Sequence, residues 1–168
     1  MKNFTSIQPA DITDNTFHLI GKEWMLIVAG NEQNNNCMTA SWGGFGFLWN
    51  KPVVFIFVRP QRYTYNLLEK HDFFTLNFFN ETHRSTLNFC GKESGKQLNK
   101  AEICKLDIVK TPNNSIAYQQ SRMIIECRKM YKEQLKPDAF IDETIQDFYP
   151  ENDYHYMYIA EISNCFVA

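Results

Sequence analysis

At 168 residues, with 44% hydrophobic and 21% charged side chains, the chain is predicted to form one globular domain over residues 1–168. The net charge of −2 gives no electrostatic basis for binding nucleic acid or an anionic membrane surface. The five cysteines and four histidines are scattered without a CxxC or HExxH pattern, which argues against a disulfide framework and a metal site. The longest apolar run, Pro52–Val58, is too short to span a bilayer, and Met1–Ser6 is not followed by a signal-peptide core. We therefore expect a cytoplasmic protein with reduced thiols.

The first half of the chain predicts a β-hairpin, a buried strand and a helix. Trp24–Gly30 and Met38–Trp42 are apolar stretches on either side of Asn31–Asn36, a polar turn whose asparagines tolerate left-handed backbone. Pro52–Val58 is rich in β-branched and aromatic residues, which is typical of a strand buried on both faces, or on one face and in a subunit contact. Helical spacing of the apolar residues in Arg62–Lys70 predicts a short helix.

The middle of the chain continues with short elements. Phe73–Phe79 alternates in the manner of a strand, and His83–Cys90 has the spacing of a helix. Gly91–Lys96 is predicted to be a loop because it is flanked by glycine and polar residues.

The last third of the chain predicts two long strands around a short helix. Ser121–Leu135 alternates imperfectly, with Tyr131 facing inward, which indicates a bulge or a strand that leaves the sheet. Asp142–Phe148 is predicted to be a short helix, and Tyr154–Val167 a single strand. Since strands outnumber helices and do not alternate with them, we expect a mainly β fold with short helical inserts, built as a closed or partly closed antiparallel barrel. The alternative is an open α+β sheet.

Two arginines and a threonine stand where the buried strand ends and the next helix begins. A helix start presents unpaired N–H groups and a partial positive charge, so it receives anions well. Arg59, Arg62 and Thr64 can add charge-assisted hydrogen bonds to a phosphate, and Pro60 turns the backbone away from the strand. The alternative is a solvated loop in which Thr64 only caps the helix.

A second segment combines hydroxyls, an indole and two glycines. Thr39–Trp42 followed by Gly43 and Gly44 could bring backbone and hydroxyl groups to the polar rim of a planar ligand such as a flavin. The alternative is a hairpin strand with surface hydroxyls.

Two further places carry weaker signals. Ser94, Lys96 and Lys100 could complete a phosphate or ribityl site, although such loops are usually only solvated. His155 begins the last strand, where a single histidine is more often structural than catalytic. Glu161 lies in mid-strand and needs a partner if it is buried.

Taken in order, these segments resemble the flavin reductase-like, FMN-binding split-barrel family, and in particular its flavoredoxin branch. The resemblance rests on NCMTASWG, VRPQRYTY, FFTLNFF, ESGK with the following Lys100, and DYHYMYIAEI, which together span nearly the whole chain after residue 20.

The resemblance implies a six-stranded antiparallel split barrel that forms a homodimer, with non-covalently bound FMN near the subunit interface. It implies that the isoalloxazine and ribityl groups lie beside one strand, at Met38, Thr39, Ala40, Ser41 and Trp42, and that the turn after the buried strand holds the phosphate, through Arg59, Arg62, Tyr63 and Thr64. It also implies that the backbone of Phe79 and Asn80 lies beside the cofactor, and that a loop completes the anionic end with Ser94, Lys96 and Lys100. His155 is the candidate catalytic residue near the ring.

The chain departs from the family pattern in two places. Lys96, Gln97, Asn99 and Ala101 stand where the family often has arginine, acidic residues and Lys-Phe, and lysine cannot give the bidentate contact of arginine. Ala160 stands where the family often has glycine before the glutamate.

Three functions are compatible with a bound flavin. The first is an oxidoreductase that passes electrons from NAD(P)H through FMN to flavin or another acceptor. The second is a flavoredoxin-like electron carrier without a nicotinamide site, and the third is a non-catalytic flavin-binding module. A flavin carries the redox chemistry itself, so none of the three requires a catalytic triad or a metal.

Overall fold

The computed structural model describes residues 3–168, which form one large antiparallel sheet and one small one. Within these residues the large sheet has eight strands in the order β3-β2-β6-β9-β10-β5-β4, with β1 paired to the end of β10, and the small sheet pairs β7 with β8. The strands are β1 (Thr5–Ile7), β2 (Met25–Gly30), β3 (Asn35–Ala40), β4 (Gly43–Leu48), β5 (Lys51–Val58), β6 (Phe73–Phe78), β7 (Ile108–Lys110), β8 (Ile116–Tyr118), β9 (Met123–Gln134) and β10 (Tyr156–Val167).

The helices are short and lie between the strands. They are α1 (Thr16–His18), which continues into a π-helical turn (Leu19–Glu23), α2 (Tyr63–Lys70), α3 (Arg84–Lys92) and α4 (Lys100–Ile103), with 3-10 turns at Pro9–Asp11, Glu81–His83, Pro137–Ala139 and Glu143–Phe148. In the part of the chain that the structure describes, no helix is both long and apolar enough to cross a membrane.

The large sheet curls around a single interior core. Met25 of β2 and Val54 of β5, which lie toward opposite ends of the strand order, are buried in one apolar cluster. The ring of Phe45 on β4 packs edge-on against Phe78 of β6 at 6.3 Å between centroids. Since contacts of this kind cross the interior, the sheet is rolled into a barrel instead of lying open.

A second apolar cluster covers the outer face of the sheet at β2 and β3. Leu26 and Val28 of β2 pack there against Leu87 of α3 and Tyr118 of β8. The strand β2 is therefore buried on both faces, which explains why its sequence is apolar throughout.

The elements predicted from periodicity are present. The hairpin forms with Met25 opposite Ala40, and the predicted strands and helices at β5, α2, β6 and α3 lie within two residues of their expected bounds. The helix α3 runs on to Lys92, into the first two residues of the predicted loop, and the predicted helix after Asp142 is a 3-10 turn.

The long pair β9–β10 contains two register shifts, as the imperfect alternation predicted. One leaves Met130 of β9 unpaired, between the partners of Ile159 and Ala160, and the other leaves Ser163 of β10 unpaired. Beyond the first shift β9 leaves the core, so Tyr131 is exposed and the prediction that it faces inward was wrong.

The strand β4 was not predicted. Its sequence, GGFGFL, contains three glycines, which lower strand propensity, so its pairing with β5 decides its conformation. With β4 and the three-residue β1 included, the main sheet has eight strands, where the resemblance implied six.

Candidate functional site

Two clefts lie beside each other along β3. The first, of about 200 Å³, is called here the aromatic cleft, and it is lined by Met38, Thr39, Ala40, Ser41, Trp42, Phe57, Arg59 and His155. The second, of about 210 Å³, is called the basic cleft, and it is lined by Asn36, Gln61, Arg62, Tyr63, Thr64, Lys92, Glu93, Ser94, Gly95 and Lys100.

Two segments contribute to both clefts in the same direction. Along β3, Asn36 lines the basic cleft and Ala40 the aromatic cleft, a separation of about 13 Å at the usual rise of a strand. The turn after β5 contributes Arg59 to the aromatic cleft and Arg62 to the basic one. An elongated ligand that lies along β3 can therefore reach both clefts.

The free edge of β3 offers backbone groups to such a ligand. Among residues 3–168, β3 ends the strand order and pairs only with β2. The carbonyl of Cys37 accepts a hydrogen bond from Lys100 at 2.9 Å, so this peptide group points away from β2. In an antiparallel pair, residues two apart point the same way, and the backbone N–H and C=O of Thr39 therefore also face the free edge.

Two cations line the basic cleft, the half-buried Arg62 and the buried Lys100. Arg62 donates to the carbonyls of Gly91 at 2.7 Å and Cys90 at 3.1 Å, at the end of α3. Lys100, only 3% exposed, donates to the carbonyls of Cys37 and Cys90, each at 2.9 Å. Burial lowers the pKa of both cations. The carbonyls fix the two charges in place beside the cleft.

Asn36, Thr64 and Gly95 pack closely together in the lining of the basic cleft. Asn36 donates to the Thr64 hydroxyl at 2.8 Å. A Cβ on Gly95 would lie 1.8 Å from Oδ1 of Asn36, so only glycine lets this loop approach the strand. The first N–H groups of α2, at Tyr63 and Thr64, have no acceptor within the helix and add a partial positive charge to this end.

The aromatic cleft has a wall of rings. Trp42, 43% exposed, packs edge-on against Phe148 at 5.7 Å between centroids, and its ring is tilted against that of His155 at 5.1 Å. His155 is buried, and its Nδ1 hydrogen-bonds the Tyr149 hydroxyl at 2.9 Å. Burial, together with the charge of Arg59, lowers the pKa of His155 to about 4, so the ring is neutral at pH 7.

The segment between β9 and β10 holds this wall in position. Arg59 forms an ion pair with Asp153, donates to the carbonyl of Phe148 at 2.8 Å, and lies over the Tyr149 ring at 5.4 Å. The contacts of Arg59 therefore fasten the aromatic wall to the end of β5.

A model of the flavin reductase-like domain matches residues 17–167. The chain belongs to this family. Flavin reductase-like proteins of known structure share its fold, with a flavoredoxin from Methanosarcina acetivorans aligning at TM-score 0.68 and 18% identity over 87% of this chain and 68% of that one. The flavoredoxin of Desulfovibrio vulgaris (Miyazaki F) aligns at TM-score 0.69 and 16% identity, over 96% of this chain and 77% of that one.

A third relative is described as an NADH:FAD oxidoreductase. This Streptomyces globisporus C-1027 protein, solved with NAD and FAD fragments, aligns at TM-score 0.64 and 13% identity over 87% of this chain and 74% of that one. No curated protein sequence gives a significant match. At identities this low the structural alignments show a shared fold and nothing more. They confirm the mainly β, antiparallel split barrel of the flavin reductase-like proteins.

Within this flavin reductase-like fold, most of the predicted site residues reach the clefts. Arg59 does not stand with Arg62, as the phosphate prediction had it, because it turns toward Asp153 in the aromatic cleft. Lys96 is exposed and lines a neighbouring groove with Tyr63 instead of the basic cleft. Phe79 is buried in the outer cluster, and the exposed Asn80 begins the turn Glu81–His83, so both lie outside the two clefts.

Several cleft residues were not predicted. Asn36 belongs to the polar turn in the sequence, and Lys92 lies within the segment predicted to be a loop. Tyr149 is not in either cleft lining but contacts His155, and because its segment has no clear periodicity only this tertiary contact reveals it. Glu161 has the partners that a carboxylate in a strand needs, since it pairs with Lys51 and Arg128.

Proposed function

We propose that this flavin reductase-like protein binds FMN without a covalent bond, with the phosphate in the basic cleft and the isoalloxazine in the aromatic cleft. The observation that carries the proposal is the arrangement along β3: fixed cations at one end, aromatic side chains at the other, and a free strand edge between them.

The chemistry of the donors fits FMN at both ends. A guanidinium has five N–H donors, and the carbonyls of Cys90 and Gly91 account for two of those on Arg62, so others remain for a phosphate. At the other end, Met38, Trp42 and Phe57 offer apolar surface to a flat ring. The free edge at Thr39 supplies a donor and an acceptor for the polar rim of the ring.

The proposed activity is electron transfer from NAD(P)H to a flavin or another acceptor. Bound FMN would supply the hydride and electron chemistry. The side chains position the ring and limit its contact with water, and neutral His155, fixed by Tyr149, can exchange a hydrogen bond with a ligand in the aromatic cleft. The description of one structural relative as an NADH:FAD oxidoreductase supports this activity.

A flavoredoxin-like electron carrier is the second candidate, supported by the two flavoredoxins of similar fold. A non-catalytic flavin-binding module is the third. Anaerobic mixing of FMN-loaded protein with NADH and with NADPH separates them. Loss of the oxidised flavin absorbance with either donor supports the reductase, whereas loss only with a reduced partner protein supports the carrier. If added FMN keeps its full fluorescence in the presence of the protein, the proposal that the protein binds a flavin is wrong.

We also propose a homodimer, located in the cytoplasm. Support for the dimer comes from β4, which ends the strand order and exposes 73% of Phe47. Support for the location comes from the cysteines, all five of which are free thiols.

A further inference from the structure

Two buried thiols face each other behind the basic cleft. The sulfur of Cys37 on β3 lies 3.6 Å from the sulfur of Cys90 on α3, and both residues have no exposed surface. The proposed function uses neither thiol.

The thiols are connected to the cleft through its cations. Lys100 donates to the backbone carbonyls of both cysteines, and Arg62 donates to that of Cys90. Both cations also line the basic cleft. The backbone of the thiol pair is therefore bonded to the two cations that an anion in the basic cleft would meet.

The surroundings make the two thiols unequal. The hydrogen bond between the two thiols lowers the pKa of Cys37, and the charges of Lys100 and Arg62 lower it further, against the opposing effect of burial. Hydrogen bonding to Cys37 and burial raise the pKa of Cys90. Cys37 is thus suited to react as the thiolate, and Cys90 to remain protonated until it resolves the product.

We propose that Cys37 and Cys90 form a disulfide on reaction with hydrogen peroxide when the basic cleft is empty, and that a phosphate-bearing ligand in the cleft protects them. The identity of that ligand as FMN rests on the proposed function.

The reaction proceeds in two steps. The thiolate of Cys37 attacks one peroxide oxygen, the O–O bond breaks, and the leaving hydroxide takes up the proton that Cys37 had released and becomes water. The sulfur of Cys90 then attacks the sulfenic sulfur of Cys37, the S–O bond breaks, and a second water leaves with the Cys90 proton. The two sulfurs lose two electrons, and the peroxide gains them.

A phosphate would protect the pair in two ways. It would fill the cleft that Arg62 and Lys100 line, and its negative charge acts in both ways: it would offset the positive charges that favour the Cys37 thiolate, and it would hold the two cations against the carbonyls of the pair. A higher pKa of Cys37 would lower its thiolate fraction and slow its reaction with peroxide.

The test treats ligand-free protein with hydrogen peroxide, blocks the remaining thiols by alkylation, and identifies disulfide-linked peptides by mass spectrometry. We expect a Cys37–Cys90 link. Cys127 and Cys165 are buried, and burial raises the pKa of each thiol, so both should remain thiols. The Cys104→Ser variant should form the same link, while Cys90→Ser should stop at the sulfenic acid of Cys37.

Repeating the reaction with saturating FMN and with saturating riboflavin tests the protection. We expect FMN to slow disulfide formation about tenfold, and riboflavin, which lacks the phosphate, to slow it much less. Absence of the Cys37–Cys90 link in ligand-free protein, a link from Cys90 to Cys104 instead, or equal protection by the two ligands would overturn the proposal. A protein that forms the link but does not quench FMN fluorescence would support the reactive pair and overturn the proposed function.

Discussion

At the scale of single residues, Arg62 both stabilises the protein and forms part of the basic cleft. Two of its N–H groups bind the carbonyls at the end of α3, and its position before α2 places it beside the first N–H groups of that helix. The segment around Arg62 was predicted to bind an anion, whereas its bonds to Cys90 and Gly91 could not be predicted, since they depend on how α3 packs against β3.

Replacing Arg62 by alanine should separate phosphate recognition from ring recognition. We expect Arg62→Ala to weaken FMN binding by roughly 10- to 100-fold, the effect of losing a charge-assisted hydrogen bond, and riboflavin binding much less. Fluorescence titration with both ligands gives the two dissociation constants. Arg128→Ala, which removes a cation paired with Glu161 and remote from the cleft, serves as the control. Equal losses for both ligands would show that the phosphate does not bind at Arg62.

The stability of the protein should depend on pH through His155. Because its pKa falls from 6.5 to about 4 on folding, the unfolded chain binds a proton between these values and the folded one does not. The free energy of unfolding should therefore fall as the pH is lowered from 6.5 toward 4. Urea unfolding of the wild type and of His155→Gln at several pH values measures this effect. The variant should show a shallower fall, and an identical pH dependence in both proteins would contradict the assignment.

At the scale of elements, β4 illustrates why part of the fold escaped prediction. The hairpin, β5 and α2 can be predicted because their apolar residues have the spacing of a strand or of a helix. Half of the residues of β4 are instead glycines, and its pairing with β5 determines its conformation. Gly43 has a φ of +148° and approaches the carbonyl of Phe55 so closely that a Cβ would lie 2.5 Å from the oxygen. Periodicity detects amphipathic elements, and β4 is not one of them.

Replacing Gly43 by alanine should destabilise the protein, and the same change at Gly44 should not. An alanine held in the backbone conformation of Gly43 lowers the free energy of unfolding by about 1–3 kcal/mol, and the contact of its Cβ with the Phe55 carbonyl lowers it further. At Gly44 a Cβ would meet only the edge of the Phe55 ring, at an ordinary 3.8 Å. Denaturant unfolding of the two variants gives the comparison. Equal stability of Gly43→Ala and Gly44→Ala would mean that β4 relaxes more easily than its contacts indicate.

At the scale of the whole molecule, the strand order of the described residues leaves β4 with one unpaired edge, and aromatic side chains lie at and beyond its end. Phe47 is 73% exposed and Trp49 51% exposed. An exposed apolar edge of this kind favours association, either with a second copy or in aggregates. The resemblance implied a homodimer, but the residues that form its contacts could not be read from the sequence, because β4 itself was not predicted.

A charge on this edge should therefore dissociate the proposed dimer. We expect Phe47→Lys to shift the molecular mass in sedimentation equilibrium from dimer to monomer while the circular dichroism of the fold is retained. Ile141→Lys, at a fully exposed position in the segment between β9 and β10, is the matched control and should leave the mass unchanged. A wild-type protein that sediments as a monomer would overturn the proposed dimer.

The two clefts draw on parts of the chain as distant as Asn36 and His155, so neither exists until the barrel has closed. A ligand that binds across both of them binds the folded chain only, and at about 100 times its dissociation constant it adds about 2.7 kcal/mol to the free energy of unfolding. That increment is large relative to the total stability of a domain of this size. The lifetime of the protein in the cell would then depend on the supply of its ligand, with ligand-poor cells losing it first to proteolysis.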